Sequence, residues 1–167
     1  MTDPIRPLHD MVVMLLGSGE KEHLEFRKKV RDELVERGFT RIIIMEESRD
    51  DDYADISLDD KLLRIIKDYE PDLFVAFFYG NARMDGVAFE LGWLCCKFSI
   101  AEMDEKVRIF TDKSFDWNGT TSYIPSLDVH VRSSRFDESK PHTKASAKVE
   151  KTIIAIYRNR LSRIINQ

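Results

Sequence analysis

Short apolar runs alternate along this chain with longer segments in which apolar residues recur every three or four positions. The runs cover residues 11–16, 41–45, 72–79 and 106–111. Runs of this length, bounded by glycine, proline or charged residues, are typical of strands buried on both faces. Residues 127–132 alternate between apolar and polar side chains, which indicates an edge strand. The pattern therefore predicts five strands, with the most hydrophobic, 72–79, at the centre of the sheet.

The segments between these strands have the spacing of amphipathic helices. In the first of them Phe26, Val30 and Leu34 recur at intervals of four, and Gly38 follows where a helix C-terminal glycine belongs. Similar stripes run from Leu58 to Tyr69 and from Val87 to Phe98. The periodicity predicts four helices, over residues 20–37, 58–69, 86–98 and 144–165.

The order of elements, β-α-β-α-β-α-β-loop-β-α, predicts one α/β domain over residues 1–167. Each crossover between parallel strands returns right-handed, so helices cover both faces of the sheet. We expect a three-layer, flavodoxin-like (Rossmann-like) sandwich with a five-stranded, mainly parallel sheet in the order 2-1-3-4-5. Residues 1–10 are predicted as an N-terminal extension, and the polar residues 133–141 as a mobile loop before the last helix.

An open parallel sheet binds ligands beyond the carboxyl ends of its strands, where the strand order reverses. That point lies between strands one and three. The first loop there is Gly17-Ser18-Gly19. Its small residues let the backbone approach a ligand, and the next helix offers free N–H groups to an anion. The same residues also fit a plain tight turn in which Ser18 caps the helix.

The second loop at this point is YGNARMDG, residues 79–86, followed one helical turn later by Glu90. Asp85 is suited to cap the helix, and Gly86 leaves space beside the glutamate. Glu90 lies on the flank of the apolar helix face, so we expect a half-buried carboxylate at the rim of a crevice. Burial raises the pKa of such a group, and a helix N-terminus lowers it. The alternative is an ordinary solvated glutamate on an amphipathic helix.

The stretch DGVAFELGW, residues 85–93, resembles the D-G-T-A-x-E-x-G-x-A signature of nucleoside 2-deoxyribosyltransferases. In that family the glutamate is the nucleophile that attacks the anomeric carbon of the sugar. The resemblance extends to the first strand and its Gly-Ser-Gly turn, where the family holds the nucleoside. TIR-like domains share the flavodoxin-like layout, and some cleave the nicotinamide–ribose bond of NAD with a glutamate on the corresponding helix.

The resemblance implies roles for individual residues. Glu90 would attack C1′ of a ribosyl or deoxyribosyl group, or stabilise the oxocarbenium ion formed there, and Asp85 would orient the sugar hydroxyls or the base. A base would stack on Tyr79, and Arg83 would pair with a phosphate. No metal or cofactor is required. The predicted catalytic residues are Glu90 and Asp85, and the predicted substrate-binding residues are Gly17, Ser18, Gly19, Tyr79, Gly80, Asn81, Arg83 and Gly86.

Three functions fit these features. The first is hydrolysis or transfer at an N-glycosidic bond of a nucleoside, nucleotide or NAD-like substrate. The second is a nucleotide-binding or signalling module that keeps the crevice without the chemistry, and the third is a TIR-like scaffold that acts through protein contacts. The acidic segment 46–60 is either a solvated loop or a site for a divalent cation, and its field disfavours highly anionic substrates.

The composition of the chain limits the kinds of partner that we expect it to bind. The chain of 167 residues is 43% hydrophobic and 34% charged, with a net charge of -4, which favours a folded domain and makes general nucleic-acid binding unlikely. No apolar run approaches the roughly 20 residues that cross a bilayer. Cys95 and Cys96 are adjacent, which suits neither a structural disulfide nor a zinc site and favours the cytoplasm. The expected partner is a small nucleoside or nucleotide, with a homodimer by analogy to related folds.

Overall fold

The computed structural model describes residues 5–47, 57–80, 82–83, 85–115, 133–137 and 139–166. The strands are β1 (Val13–Leu16), β2 (Ile42–Ile44), β3 (Leu73–Phe78), β4 (Val107–Asp112) and β5 (Ser133–Phe136). The α-helices are α1 (Lys21–Glu36), α2 (Leu58–Tyr69), α3 (Asp85–Lys97), α4 (Ile100–Lys106) and α5 (His142–Ile165). Two short 3₁₀ helices cover Leu8–Asp10 and Met45–Glu47.

The five strands form one sheet in the order β2-β1-β3-β4-β5. Every neighbouring pair is parallel, and Leu15 of β1 lies between Ile44 of β2 and Val75 of β3. The predicted α/β class, strand order and flavodoxin-like layout are therefore confirmed. The strand order reverses between β1 and β3, as predicted.

Helices on both faces of the sheet explain why its inner strands are buried throughout. Every residue of β1, β3 and β4 is buried. Alternate side chains enter two separate core layers, so that Leu15 packs in one and Met14 in the other. The first layer also contains Phe26 of α1 and Val149 of α5, and the second contains Leu91 of α3.

Local signals explain where several helices begin and end. Ser57 caps α2 by accepting a hydrogen bond from the backbone N–H of Asp60, and Glu70 ends that helix in the left-handed conformation with φ 48°. Gly38 follows α1 with φ +97°, which a residue without a Cβ adopts at little cost.

Helix α4 was not predicted from the apolar pattern. Its seven residues bury one side chain, that of Met103, which is too few for a helical stripe to be visible. The signal was instead the capping box, in which Ser99 accepts from the backbone of Glu102 and the Glu102 carboxylate accepts from the backbone of Ser99.

The position of β5 corrects the prediction for the end of the sheet. A mobile loop was predicted over 133–141, whereas Ser133–Phe136 pairs with β4 as a parallel strand. The predicted strand at 127–132 lies outside the described residues. Strand β5 is formed by backbone hydrogen bonds to β4, and its buried apolar side chain is that of Phe136, whose ring packs against Phe26 and Phe77. A strand with one apolar anchor has no alternating pattern to detect.

An ion-pair network around Asp72 lies at the amino edge of the sheet. Its carboxylate accepts hydrogen bonds from the backbone N–H of Val12 at 2.9 Å, from Arg6 at 3.0 Å and from Arg160 at 2.8 Å. Arg6 also pairs with Glu70. The Asp72 carboxylate thus links the described part of the N-terminal extension to the sheet and to α5.

Within the part of the chain that the structure describes, no helix is both long enough and apolar enough to cross a membrane.

We predict that Asp72→Ala lowers the free energy of unfolding by about 2–3 kcal/mol, because two half-buried arginines and a backbone N–H lose their common acceptor. Glu70→Gln is the matched control, since that carboxylate is 76% exposed and its pair with Arg6 is worth less than about 0.5 kcal/mol. Urea unfolding of both variants measures the difference. Equal losses would contradict a special role for Asp72.

Candidate functional site

The loops that follow β1 and β3 meet at the carboxyl edge of the sheet. Leu16 and Ala76, near the ends of these strands, are paired in register. The Glu20 carboxylate, at the start of α1, accepts a hydrogen bond from the backbone N–H of Arg83 at 3.0 Å. The strand order and this contact bring residues 17–20 and the loop before α3 together.

In the turn 17–19, between β1 and α1, the side chain of Ser18 is buried. Ser18 is 4% exposed, and its Oγ accepts a hydrogen bond from the Glu20 N–H at 3.2 Å. Its hydroxyl therefore closes the turn. It does not cap α1, as the alternative for this residue predicted, because the N-cap of that helix is Glu20, without a side-chain cap. Gly19 is exposed, and a Cβ there would meet nothing within 4 Å. Packing does not require glycine at that position.

Arg27 of α1 forms the charged centre of this edge and is not among the residues predicted from the sequence. Its side chain is fully buried and donates to the carbonyls of Leu15 at 3.3 Å and Ser18 at 2.6 Å. It also binds both carboxylate oxygens of Glu46, at 2.6 and 3.2 Å. We call this set, Arg27 with Glu46 and the two carbonyls, the arginine clamp. It joins the ends of β1 and β2.

The clamp explains why residue 17 is glycine. A Cβ at Gly17 would lie 3.0 Å from Nε of Arg27, which is too close for an ordinary contact. The signal for the clamp was present in the sequence, because Arg27 shares the buried stripe of α1 with Phe26, Val30 and Leu34. An arginine within such a stripe needs a carboxylate partner.

Glu90 of α3 is more deeply buried than the half-buried position predicted for it. It is 4% exposed, and among the described residues its Oε2 has no hydrogen-bond partner. Burial, and after it the Glu46 carboxylate, raise the pKa of the Glu90 carboxyl to about 8, while Arg27 opposes this rise. Glu90 is therefore mainly protonated at neutral pH.

The other residues predicted on α3 and its preceding loop are open to solvent. Asp85 is the first residue of the helix and is exposed, and its carboxylate is favourably placed at the helix N-terminus. Gly86 is exposed, with nothing within 4 Å of a Cβ. The Arg83 side chain is also exposed. Asn81 lies outside the described residues.

The structure places Tyr79 in the core and Gly80 against the loop after β4. Tyr79 is 1% exposed, its ring stacks on His23 with centroids 4.0 Å apart, and its hydroxyl donates to the His23 carbonyl. It is a core residue, so its ring is not a platform for a base. A Cβ at Gly80 would lie 2.7 Å from backbone atoms of Ser114, so this glycine permits close packing of the loop after β4.

The first two residues of the acidic segment pair with α1. Glu46 belongs to the arginine clamp, and Glu47 pairs with Arg31 and, at 3.8 Å, with Lys28. The residues 50–55 lie outside the described part of the chain. In the described ranges no group of three or more histidine, cysteine or acidic side chains is arranged to hold a metal ion.

No protein-family model matches this chain, and no curated protein matches its sequence. Among solved structures, the crystal structure of the Francisella novicida lysine decarboxylase LdcF is similar over 87% of the chain, with a TM-score of 0.48 and 10% sequence identity. The chain spans 17% of the length of that protein.

We predict that Glu90 makes the stability of the protein fall as pH rises. Its pKa is about 8 in the folded chain and 4.5 ordinarily, so the folded state binds more protons between these values. The stabilisation is complete below pH 4.5 and is lost by about pH 8, with a slope of at most about 1.4 kcal/mol per pH unit. Glu90→Gln should remove this slope. Urea unfolding from pH 5 to 9 tests it, and parallel curves for the two proteins would contradict it.

Two glycine substitutions test where the structure leaves room for a side chain. Gly80→Ala should lower the free energy of unfolding by about 2 kcal/mol, because the new methyl group meets Ser114. Gly86→Ala should raise it by up to about 1 kcal/mol, because alanine favours the helix and meets no neighbour. Thermal and urea unfolding measure both. Destabilisation by Gly86→Ala would show that its surroundings are not open.

Proposed function

We propose that the chain hydrolyses or transfers an N-glycosidic bond of a nucleoside, nucleotide or NAD-like substrate, with Glu90 as the acting carboxylate. The observation that supports this proposal is a buried carboxyl with an unpartnered oxygen, at the point where the strand order reverses. A group of this kind costs stability and is concentrated at functional sites. The resemblance of residues 85–93 to the deoxyribosyltransferase signature indicates the reaction class.

The charges around Glu90 suit a reaction in which positive charge develops. Ionised Glu90 would be unfavourable by itself, because it is desolvated and the Glu46 carboxylate repels it. An oxocarbenium ion at C1′ would supply the missing positive charge. The carboxylate would thus interact more strongly with the transition state than with the neutral sugar, which is the requirement for catalysis.

The protonation state of Glu90 constrains its role. With a pKa of about 8, roughly a tenth of the side chains are ionised at pH 7. Attack on C1′ needs the carboxylate, so kcat/KM would increase with pH up to about 8 and then level off. A proton-donating role would give the opposite profile.

The exposed residues of the same edge provide the substrate contacts of the proposal. Asp85 would orient sugar hydroxyls, Arg83 would pair with a phosphate, and Gly19 and Gly86 would leave space for the ligand. Because Glu90 is 4% exposed, the substrate would reach it when neighbouring side chains move apart.

A second candidate is a nucleotide-binding or TIR-like signalling module without catalysis. The burial of Glu90 favours it, since a protonated carboxyl enclosed by the fold can persist without any reaction.

The test is release of free base from a panel of nucleosides, nucleotides and NAD, followed by chromatography. We expect release from at least one compound and a loss of at least about 100-fold in Glu90→Gln. Glu36→Gln, at an exposed position of α1, is the matched control and should keep full activity. Binding measured by calorimetry without release would support the second candidate, and the absence of both would reject the proposal.

A further inference from the structure

We infer that the chain pairs with a second copy of itself through the outer side of α3, with the two helices antiparallel. We call this surface the α3 face. Its residues recur at the spacing of one helix face and are Asp85, Gly86, Phe89, Trp93, Cys96 and Lys97. The inference does not depend on the proposed function.

The centre of the α3 face is aromatic. Phe89 is 47% exposed, although the next residue, Glu90, is 4% exposed. Trp93 lies one helical turn further on and is half-buried, and the Lys97 ammonium lies 5.1 Å from the centre of its ring. The opposite side of the helix is already in the core, through Val87, Leu91 and Leu94. Aromatic side chains that the fold leaves exposed are typical of protein–protein contacts.

The helices that contact α3 also present apolar side chains to solvent. Helices α2 and α4 cover the same side of the sheet as α3, and they carry Leu63 at 45% and Ile100 at 67% exposure. In the described parts of α1 and α5, the exposed large apolar side chains lie in the last helical turn and are Val35, Ile164 and Ile165. An exposed aromatic at mid-helix therefore distinguishes the side of the sheet that α3 covers.

The two ends of the α3 face carry opposite charges. Asp85 is the first residue of the helix and Lys97 the last, and both side chains are exposed. Neither forms an ion pair with another of the described residues. The face is therefore acidic at its beginning, aromatic at its centre and basic at its end.

This arrangement is complementary to a second copy of itself. When two α3 helices lie antiparallel, Asp85 is opposite the partner's Lys97 and Phe89 is opposite the partner's Trp93, because the members of each pair are equally far from the helix midpoint. Both ends then join opposite charges, and the helix dipoles also oppose each other. A parallel pair would instead place like charges together, so the charges select the antiparallel orientation.

The pairing adds a residue to the edge of the candidate site. Helix α3 begins beside that site, so the antiparallel partner contributes the end of its own α3, with the partner's Lys97, at the same place. The carboxylate of Asp85 has two oxygens, and pairing with one of them leaves the other able to accept from a ligand. Gly86 is open at this end, with nothing within 4 Å of a Cβ, so the partner helix meets no side chain there.

Sedimentation velocity of the full chain tests whether the α3 face forms a dimer. A contact centred on one helix pair belongs to the small, transient class, so we expect the dimer at a concentration on the order of 100 µM. Phe89→Gln should weaken dimerisation at least about 30-fold, because each dimer loses two buried rings. Val35→Gln is the matched control, since Val35 is also 47% exposed but lies on α1, and it should leave the dimer unchanged.

Charge reversal tests the antiparallel orientation. Asp85→Lys and Lys97→Glu should each weaken the dimer at least about 10-fold, because each puts like charges together at both ends of the helix pair. An equimolar mixture of these two variants should dimerise again, because every end pair of the mixed dimer then joins opposite charges. A change that merely disturbed the fold of either variant would not be reversed by mixing.

Loss of the dimer in Phe89→Gln but not in Val35→Gln, with recovery in the mixture, supports the inference. A wild-type monomer at that concentration, a dimer that Phe89→Gln leaves unchanged, or a mixture that stays monomeric overturns it. If circular dichroism shows that Phe89→Gln does not fold, the mixture decides alone, since both of its substituted positions are exposed. None of these measurements uses base release, so the result is independent of the proposed activity.

Discussion

The carboxyl edge of this sheet depends on one buried guanidinium. Arg27 is fully enclosed, and a charge in that position persists only when it is paired and hydrogen-bonded. Its partners are the Glu46 carboxylate and the carbonyls of Leu15 and Ser18. Glycine is favoured at position 17 because a Cβ there would lie 3.0 Å from Nε of the guanidinium. The raised pKa of Glu90 follows first from the burial of its carboxyl and then from the Glu46 carboxylate, while Arg27 acts in the opposite direction.

The two edges of the sheet use carboxylates in opposite ways. At the amino edge both oxygens of Asp72 accept hydrogen bonds, from two arginines and a backbone N–H, so the group stabilises the attachment of α5 and the N-terminal segment. At the carboxyl edge Glu90 is buried with an unpartnered oxygen in the described structure and a raised pKa. A folded domain tolerates such a cost at a few positions, and these positions are the best candidates for chemistry.

Much of the fold could be predicted from the apolar pattern, because buried strands and amphipathic helices have periods that one sequence displays. The strands around Leu15, Ile43, Val75 and Ile109 and the order of the sheet were predicted in this way. Helix α4 and strand β5 were not predicted. In the described structure each contacts the core through one buried side chain, Met103 in α4 and Phe136 in β5. Elements held mainly by capping and by backbone hydrogen bonds have no period to detect.

The sequence by itself determined the α/β class, the strand order that brings the loops after the first and third strands to one edge of the sheet, and the placement of Glu90 one helical turn after the second of these loops. Tertiary structure alone decided that the buried Arg27 pairs with Glu46, that Tyr79 points into the core, and that Glu90 is buried rather than at a rim. The reason is physical. Periodicity reports which face of an element is buried, whereas the pairing of charges from separate elements depends on how those elements pack together.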